Sequence, residues 1–239
     1  MPGTCAGRRV RRKALLRIAT ALAVAATMAG PRIASLAAQV TTPPLTREEI
    51  IAVANSLASH TWTASKSNLQ ASCKSGPHYK GTPYHSDYTA GQQVAGIAYD
   101  WGGMDDRAAF DNRLTKGFAA GSHQWHECQS CGVCTTGMDC SGFVSYVWGQ
   151  RTTKYSTNSI LKLTTPLPAT FDKYRDLRQG DALNKPSSHI VLFDTYDTDG
   201  KPFVYEAQGS PVSRVLRKKR SWAELAGFSP IRYSNLKNP

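Results

Sequence analysis

The first 37 residues contain no aspartate or glutamate, and the longest apolar stretch of the chain, Ile18 to Ala29, is only twelve residues. A membrane-spanning helix needs about 20 predominantly apolar residues, so a span is not expected. No cysteine directly follows that stretch, so a lipoprotein anchor is not expected, and neither an internal repeat nor a low-complexity linker is present. What stands in place of the missing acids is a basic segment, Arg8, Arg9, Arg11, Arg12 and Lys13, followed by the apolar stretch and then by small residues around Ser35-Leu36-Ala37. That order is the order of a secretory signal, and the arginine pair is compatible with twin-arginine export. Residues 1–37 are therefore expected to be removed.

The charge of +12 shrinks with them, to 22 basic against 17 acidic residues, a net of +5. A mildly basic exported protein suits an anionic cell wall and needs no nucleic-acid partner. One basic run remains, Arg217-Lys218-Lys219-Arg220. It reads as a solvated turn, with contact to a wall anion as the sharper alternative.

About 200 residues are enough for one domain with a sizeable core. Thr46 opens a helix: Glu48 and Glu49 fall in its first turn, where acids complement the dipole, and Ile50, Ile51, Val53, Ala54, Leu57 and Ala58 form its apolar face. Residues 63–95, rich in Gly, Ser, Pro and Tyr, read as irregular. His189 to Phe193 and Phe203 to Ala207 read as strands on either side of an Asp199-Gly200 turn. Helices followed by antiparallel strands make an α+β fold.

The chemistry centres on Met138-Asp139-Cys140-Ser141-Gly142-Phe143. Apolar residues at 143, 144, 147 and 148 have helical spacing, which puts Cys140 at a helix start. Partial positive charge and unpaired N–H groups there favour the thiolate, the nucleophilic form. The competing reading is an inert, packed cysteine. Parity favours the nucleophile. Once Cys5 is removed, five cysteines remain, and pairing Cys73, Cys128, Cys131 and Cys134 as two disulfides leaves Cys140 free. Oxidising compartments favour disulfides. The C-x2-C-x2-C spacing at 128, 131 and 134, with His123 and His126 upstream, also fits zinc. An iron–sulfur cluster lacks its fourth Cys-Pro.

A thiolate needs a base, and His189 is placed for it at a strand start. The histidine in turn needs an orienter, for which Glu206 is the candidate and Gln208, on the same face, the runner-up. With a two-residue turn at Asp199-Gly200, His189 and Glu206 sit four positions out of register; with a loop from Thr195 to Gly200, they face each other.

Together these residues resemble the NlpC/P60 cysteine peptidases, papain-like enzymes of bacterial cell walls. Gly96-Ile97-Ala98-Tyr99-Asp100-Trp101-Gly102-Gly103 is similar to that family's G-x-P-Y-x-W-G-G motif, with Ala98 in place of proline. Asp139-Cys140-Ser141-Gly142-Phe143 matches its nucleophile motif, Gly180-Asp181 its turn before the histidine, and His189 the histidine itself. The third residue departs, being Glu206 where the family most often has His, and the cysteine-rich insertion before Cys140 is not a general feature. The resemblance covers about half the chain. It implies a papain-like fold for residues 96–239, with 38–95 as an N-terminal extension. It implies a hydrolase of peptide or amide bonds in peptidoglycan stem peptides, with Cys140, His189 and Glu206 catalytic and the Tyr99 hydroxyl near the sulfur. No cofactor and no catalytic metal are expected. The competing functions are acyl or amide transfer onto a lipid or protein, and a non-catalytic wall-binding module.

Overall fold

The computed structural model describes residues 43–71, 84–85, 87–123 and 134–237. The expected signal, the cysteines Cys73, Cys128 and Cys131, and His126 lie outside the described residues. Among those described, no helix is long and apolar enough to cross a membrane.

Helix α1 spans Arg47–Ala58 and starts where the sequence reading put it. Thr46 accepts from the Glu49 backbone N–H at 3.1 Å while Glu49 accepts from the Thr46 N–H at 2.7 Å, a reciprocal cap. Helix α2, Arg107–Thr115, had no apolar periodicity to announce it. It buries only Phe110 and is started by Asp106, whose carboxylate accepts from the Ala109 N–H at 2.8 Å. Helix α3, Cys140–Val147, is capped by Asp139 in the same way, with the Gly142 N–H at 2.7 Å. The stretch expected to be irregular contains short pieces of structure. Strand Thr61–Thr63 pairs with Gln93–Ala95, Gln70–Ala71 pairs with Tyr84–His85, and Lys66–Asn68 forms a 3-10 turn.

The main sheet has six strands, β1 (Thr164–Thr165), β2 (Ala182–Lys185), β3 (His189–Tyr196), β4 (Pro202–Gln208), β5 (Arg214–Lys219) and β6 (Ser229–Tyr233), in the antiparallel order β5-β4-β3-β2-β6-β1. The α+β class is thus as expected. β3 is buried on both faces, which is why it reads as a continuous apolar run. Ile190 and Leu192 pack with Phe143, Val144 and Val147 of α3 and with Ile50, Ala54 and Leu57 of α1. Val191 and Phe193 pack on the other side with Val204, Leu225 and Phe228.

Two readings are corrected. The basic run does not form a solvated turn: Arg217, Lys218 and Lys219 are strand residues of β5, with Arg220 just beyond. Each cation has a partner within the protein. Arg217 binds Asp194 (2.6 Å), Lys218 donates to Gln208 (3.3 Å), Lys219 pairs with Asp197 and Asp199, and Arg220 pairs with Glu206 (2.7 Å). The β3–β4 hairpin follows neither expected register. Tyr196 faces Pro202 and Thr195 faces Phe203, but the next pair is Phe193 with Val204. Asp194 is the extra residue of a β-bulge. Carried onward, the register beyond the bulge sets His189 across from Gln208, with Glu206 on its diagonal.

Candidate active site

The segment carrying Cys140 is built by two stretches of backbone some forty residues apart in sequence. Met138 N–H donates to Ala98 O (3.0 Å), Asp100 N–H to Met138 O (3.1 Å) and Asp139 N–H to Gly103 O (3.1 Å). The glycines are needed for this approach. A Cβ on Gly142 would stand 2.2 Å from Gly103 O, and one on Gly103 would stand 2.5 Å from Gly137 O. The Trp-Gly-Gly and Cys-Ser-Gly stretches, read as separate motifs, are one packed unit.

Asp139 organises the helix start. One carboxylate oxygen caps α3 and accepts from the Ser141 hydroxyl (3.1 Å); the other accepts from the Gly102 N–H (2.8 Å) and pairs with Lys154 (2.9 Å). Cys140 follows as the first helical residue. It is free and only 7% exposed. Cys134, six positions before it, is disulfide-bonded.

His189, at the start of β3, lies close enough to Cys140 for the sulfur to bear on its titration. Its Nε2 lies 2.7 Å from Glu206 Oε2, which leaves Nδ1 unengaged by the carboxylate. Burial by itself would pull the imidazole down, but Cys140 and the bond to Glu206, with their negative charges, outweigh it and push it up to about 9. Glu206 is fully buried. Burial pushes its carboxyl up; bonds and charge from His189 and Arg220 more than offset this, so it is held below its ordinary value. Arg220 grips it with two bonds, Nε to Oε1 at 2.9 Å and Nη2 to Oε2 at 2.7 Å. The Phe228 ring meets the imidazole at a right angle, with centroids 6.3 Å apart.

Tyr99 lies where the Cys140 charge bears on it. Burial first, then the charges of Cys140, Asp139 and Asp100, raise its phenol far above the usual value, so it remains an O–H donor. Its ring stacks on His123 at 5.3 Å. His123 Nε2 in turn meets Asp87 (2.6 Å) and the Ser213 hydroxyl (3.0 Å). His123, noted in the sequence as a possible zinc ligand, packs on Tyr99 here, while Cys128, Cys131 and His126 of that reading lie outside the described residues. Among the described residues no group of three His, Cys, Asp or Glu side chains could hold a metal ion.

The structure thus brings together Cys140, His189, Glu206 and Tyr99. Gln208, across from His189, is engaged elsewhere: its amide oxygen accepts from Lys218 (3.3 Å). Sequence reasoning missed Arg220, Lys154 and the Asp87–His123–Ser213 group. Arg220 left a signal inside a run read as solvent-facing, and His123 one beside the cysteine spacing; Lys154, Asp87 and Ser213 left none. Chemically the arrangement offers a nucleophile, a proton carrier, an anionic orienter for that carrier and a neutral hydroxyl donor. No protein-family model and no curated protein sequence matches the chain.

Proposed function

We propose that the chain is a secreted thiol hydrolase with the papain-like NlpC/P60 fold, acting on peptide or amide bonds of peptidoglycan stem peptides. The observation that carries this reading is the His189–Glu206 hydrogen bond set beside the free cysteine at the head of α3, whose sulfur bears on the imidazole. In this mechanism the Cys140 sulfur attacks the substrate carbonyl carbon, and His189 holds the thiol proton and then delivers it to the leaving amine. Water, deprotonated by His189, then hydrolyses the thioester. The backbone N–H of Cys140 at the helix start and the Tyr99 hydroxyl are the donors for the tetrahedral oxyanion. Residues 1–37 act as the signal, 38–95 as an extension and 96–239 as the catalytic part.

The peptidoglycan substrate rests on the motif resemblance and on export, and digestion of purified peptidoglycan, with products identified by mass, tests it. New amine termini within stem peptides are expected from the wild type and none from Cys140→Ala. Intact stems with the active wild-type protein would overturn the substrate. Cys73, Cys128, Cys131 and Cys134 form two disulfides in this reading, holding the loop before Cys140. Thiol counting on the metal-free, denatured, unreduced mature protein should then find one free thiol, whereas five with released zinc would make the cluster a metal site.

A further inference from the structure

We infer that Arg220 is a positioning residue of this site, acting through Glu206 to keep the carboxylate ionised and aimed at His189. The inference rests on the catalytic reading of Cys140 above. A buried carboxylate without a cation takes up a proton instead of staying charged. His189 cannot be the only cation for Glu206, because its charge leaves whenever it gives up its proton during turnover. Arg220 spans that moment, since a guanidinium does not deprotonate in proteins.

The geometry is specific. Arg220 bonds both carboxylate oxygens, at 2.9 and 2.7 Å, and Oε2 is shared with His189 Nε2 at 2.7 Å. A two-pronged grip fixes the plane of the carboxylate, which a lysine point charge does not. Arg220 is itself anchored. Its backbone N–H donates to Pro202 O at 2.9 Å, and its Nη1 donates to Glu224 Oε1 at 3.0 Å. The other Glu224 oxygen accepts from the Ser221 N–H at 2.7 Å and its hydroxyl at 2.9 Å. The charged neighbours are few. His189 from β3 and Arg220 from beyond β5 face Glu206, and the residue opposite it on β5 is Leu216. Cys140 and Glu206 face His189, and Glu206 and Glu224 face Arg220. The other cations of the run are engaged by Asp194, Gln208, Asp197 and Asp199.

The test is the alkylation rate of Cys140 by iodoacetamide across about pH 5 to 9, which needs no substrate. It uses Arg220→Met, Arg220→Lys, Glu206→Gln and the double variant. Arg220→Met should slow alkylation near pH 6 by roughly 10- to 100-fold, the usual cost of removing a group that supports a functional side chain. Its acid limb should move to higher pH, because the orphaned Glu206 takes up a proton and His189 loses its partner. Arg220→Lys, which keeps the charge without the two-pronged grip, should fall between. Starting from Glu206→Gln, adding Arg220→Met should change the rate by less than about twofold, since the target of the arginine is gone. The double variant carries no buried unpaired carboxylate, which keeps the comparison open if Arg220→Met does not fold. An Arg220→Met profile superposing on the wild type, or a loss as large with Glu206→Gln as without it, overturns the inference. A wild-type thiol no faster than free cysteine sinks the catalytic reading and this inference with it; a fast wild type with an unchanged Arg220→Met sinks the inference alone.

Discussion

Among the described residues, Asp181 and Glu206 are both fully buried and gripped by arginine, yet their surroundings differ. Asp181, just before β2, accepts from Arg47 (3.0 Å), from Arg232 with two bonds (2.9 and 2.7 Å) and from the Arg178 N–H (3.0 Å). It ties α1 and β6 to the start of β2. Glu206 accepts two bonds from Arg220 and one from His189. Every side-chain partner of Asp181 is a permanent cation. One partner of Glu206 can lose its charge, and beyond that partner lies a free thiol. Burial and an arginine grip are common to both. What sets the candidate site apart is a titratable partner that leads to a free thiol.

The comparison can be broken first at the thiol. Cys140→Ala should reduce turnover by about 10⁴-fold or more, as loss of a nucleophile does, with the melting temperature nearly unchanged. Turnover like the wild type would end the thiol mechanism. Next comes Asp181→Ala, which leaves Arg47 and Arg232 facing each other without their shared anion. Loss of one partner of a buried ion pair costs about 3–5 kcal/mol, so the urea midpoint should fall while Cys140 in the folded fraction alkylates at the wild-type rate. A slowed thiol there would mean that the two carboxylates are not functionally separate.

Glu206→Gln is the mirror test. It should cut turnover by roughly 100-fold, less than the nucleophile costs, with a smaller loss of stability than at Asp181. The pH dependence sharpens the contrast. His189 is pushed up to about 9 from an ordinary 6.5, so its contribution to stability is full below 6.5 and is lost as pH rises through about 9. Glu206 is held below its ordinary 4.5, so its contribution is full above 4.5 and is lost as pH falls through the lowered value. The stability difference between wild type and Glu206→Gln should therefore be greatest from about pH 4.5 to 6.5 and shrink by about pH 9. The corresponding difference for Asp181→Ala should stay level over the alkaline half of that range, because guanidinium groups keep their charge. Urea titrations across the range measure both curves. The smallest effect belongs to Gln208→Ala, within about twofold in turnover, because its amide bonds Lys218 and not His189. A loss there as large as at Glu206 would transfer the orienting role to Gln208.

Much of the local structure was legible. Thr46 with Glu49 announced α1, the spacing after Cys140 announced α3, and His189-Ile190-Val191-Leu192-Phe193 announced a buried strand. These signals lie within a few residues of one another, so periodicity and capping chemistry expose them. Helix α2 was not legible, since one buried phenylalanine makes no period. Arg220 was read as solvated because nothing next to it in sequence says that its partner is a strand away.

The sequence by itself determined the elements and the residue types: a cysteine at a helix start, a histidine at a strand start, and an acid on the following strand. Only the tertiary structure decided that they meet. The decisive detail is the bulge at Asp194. The register of Tyr196 with Pro202 and Thr195 with Phe203, continued without interruption, would put His189 and Glu206 on opposite faces of the sheet. The extra residue shifts the pairing to Phe193 with Val204 and brings both side chains to one face. Side chains alternate with a period of two, so a slip of one residue reverses every face. That slip is set by how two strands pack and where Asp194 finds Arg217 (2.6 Å), which is a property of the folded pair and not of either strand alone.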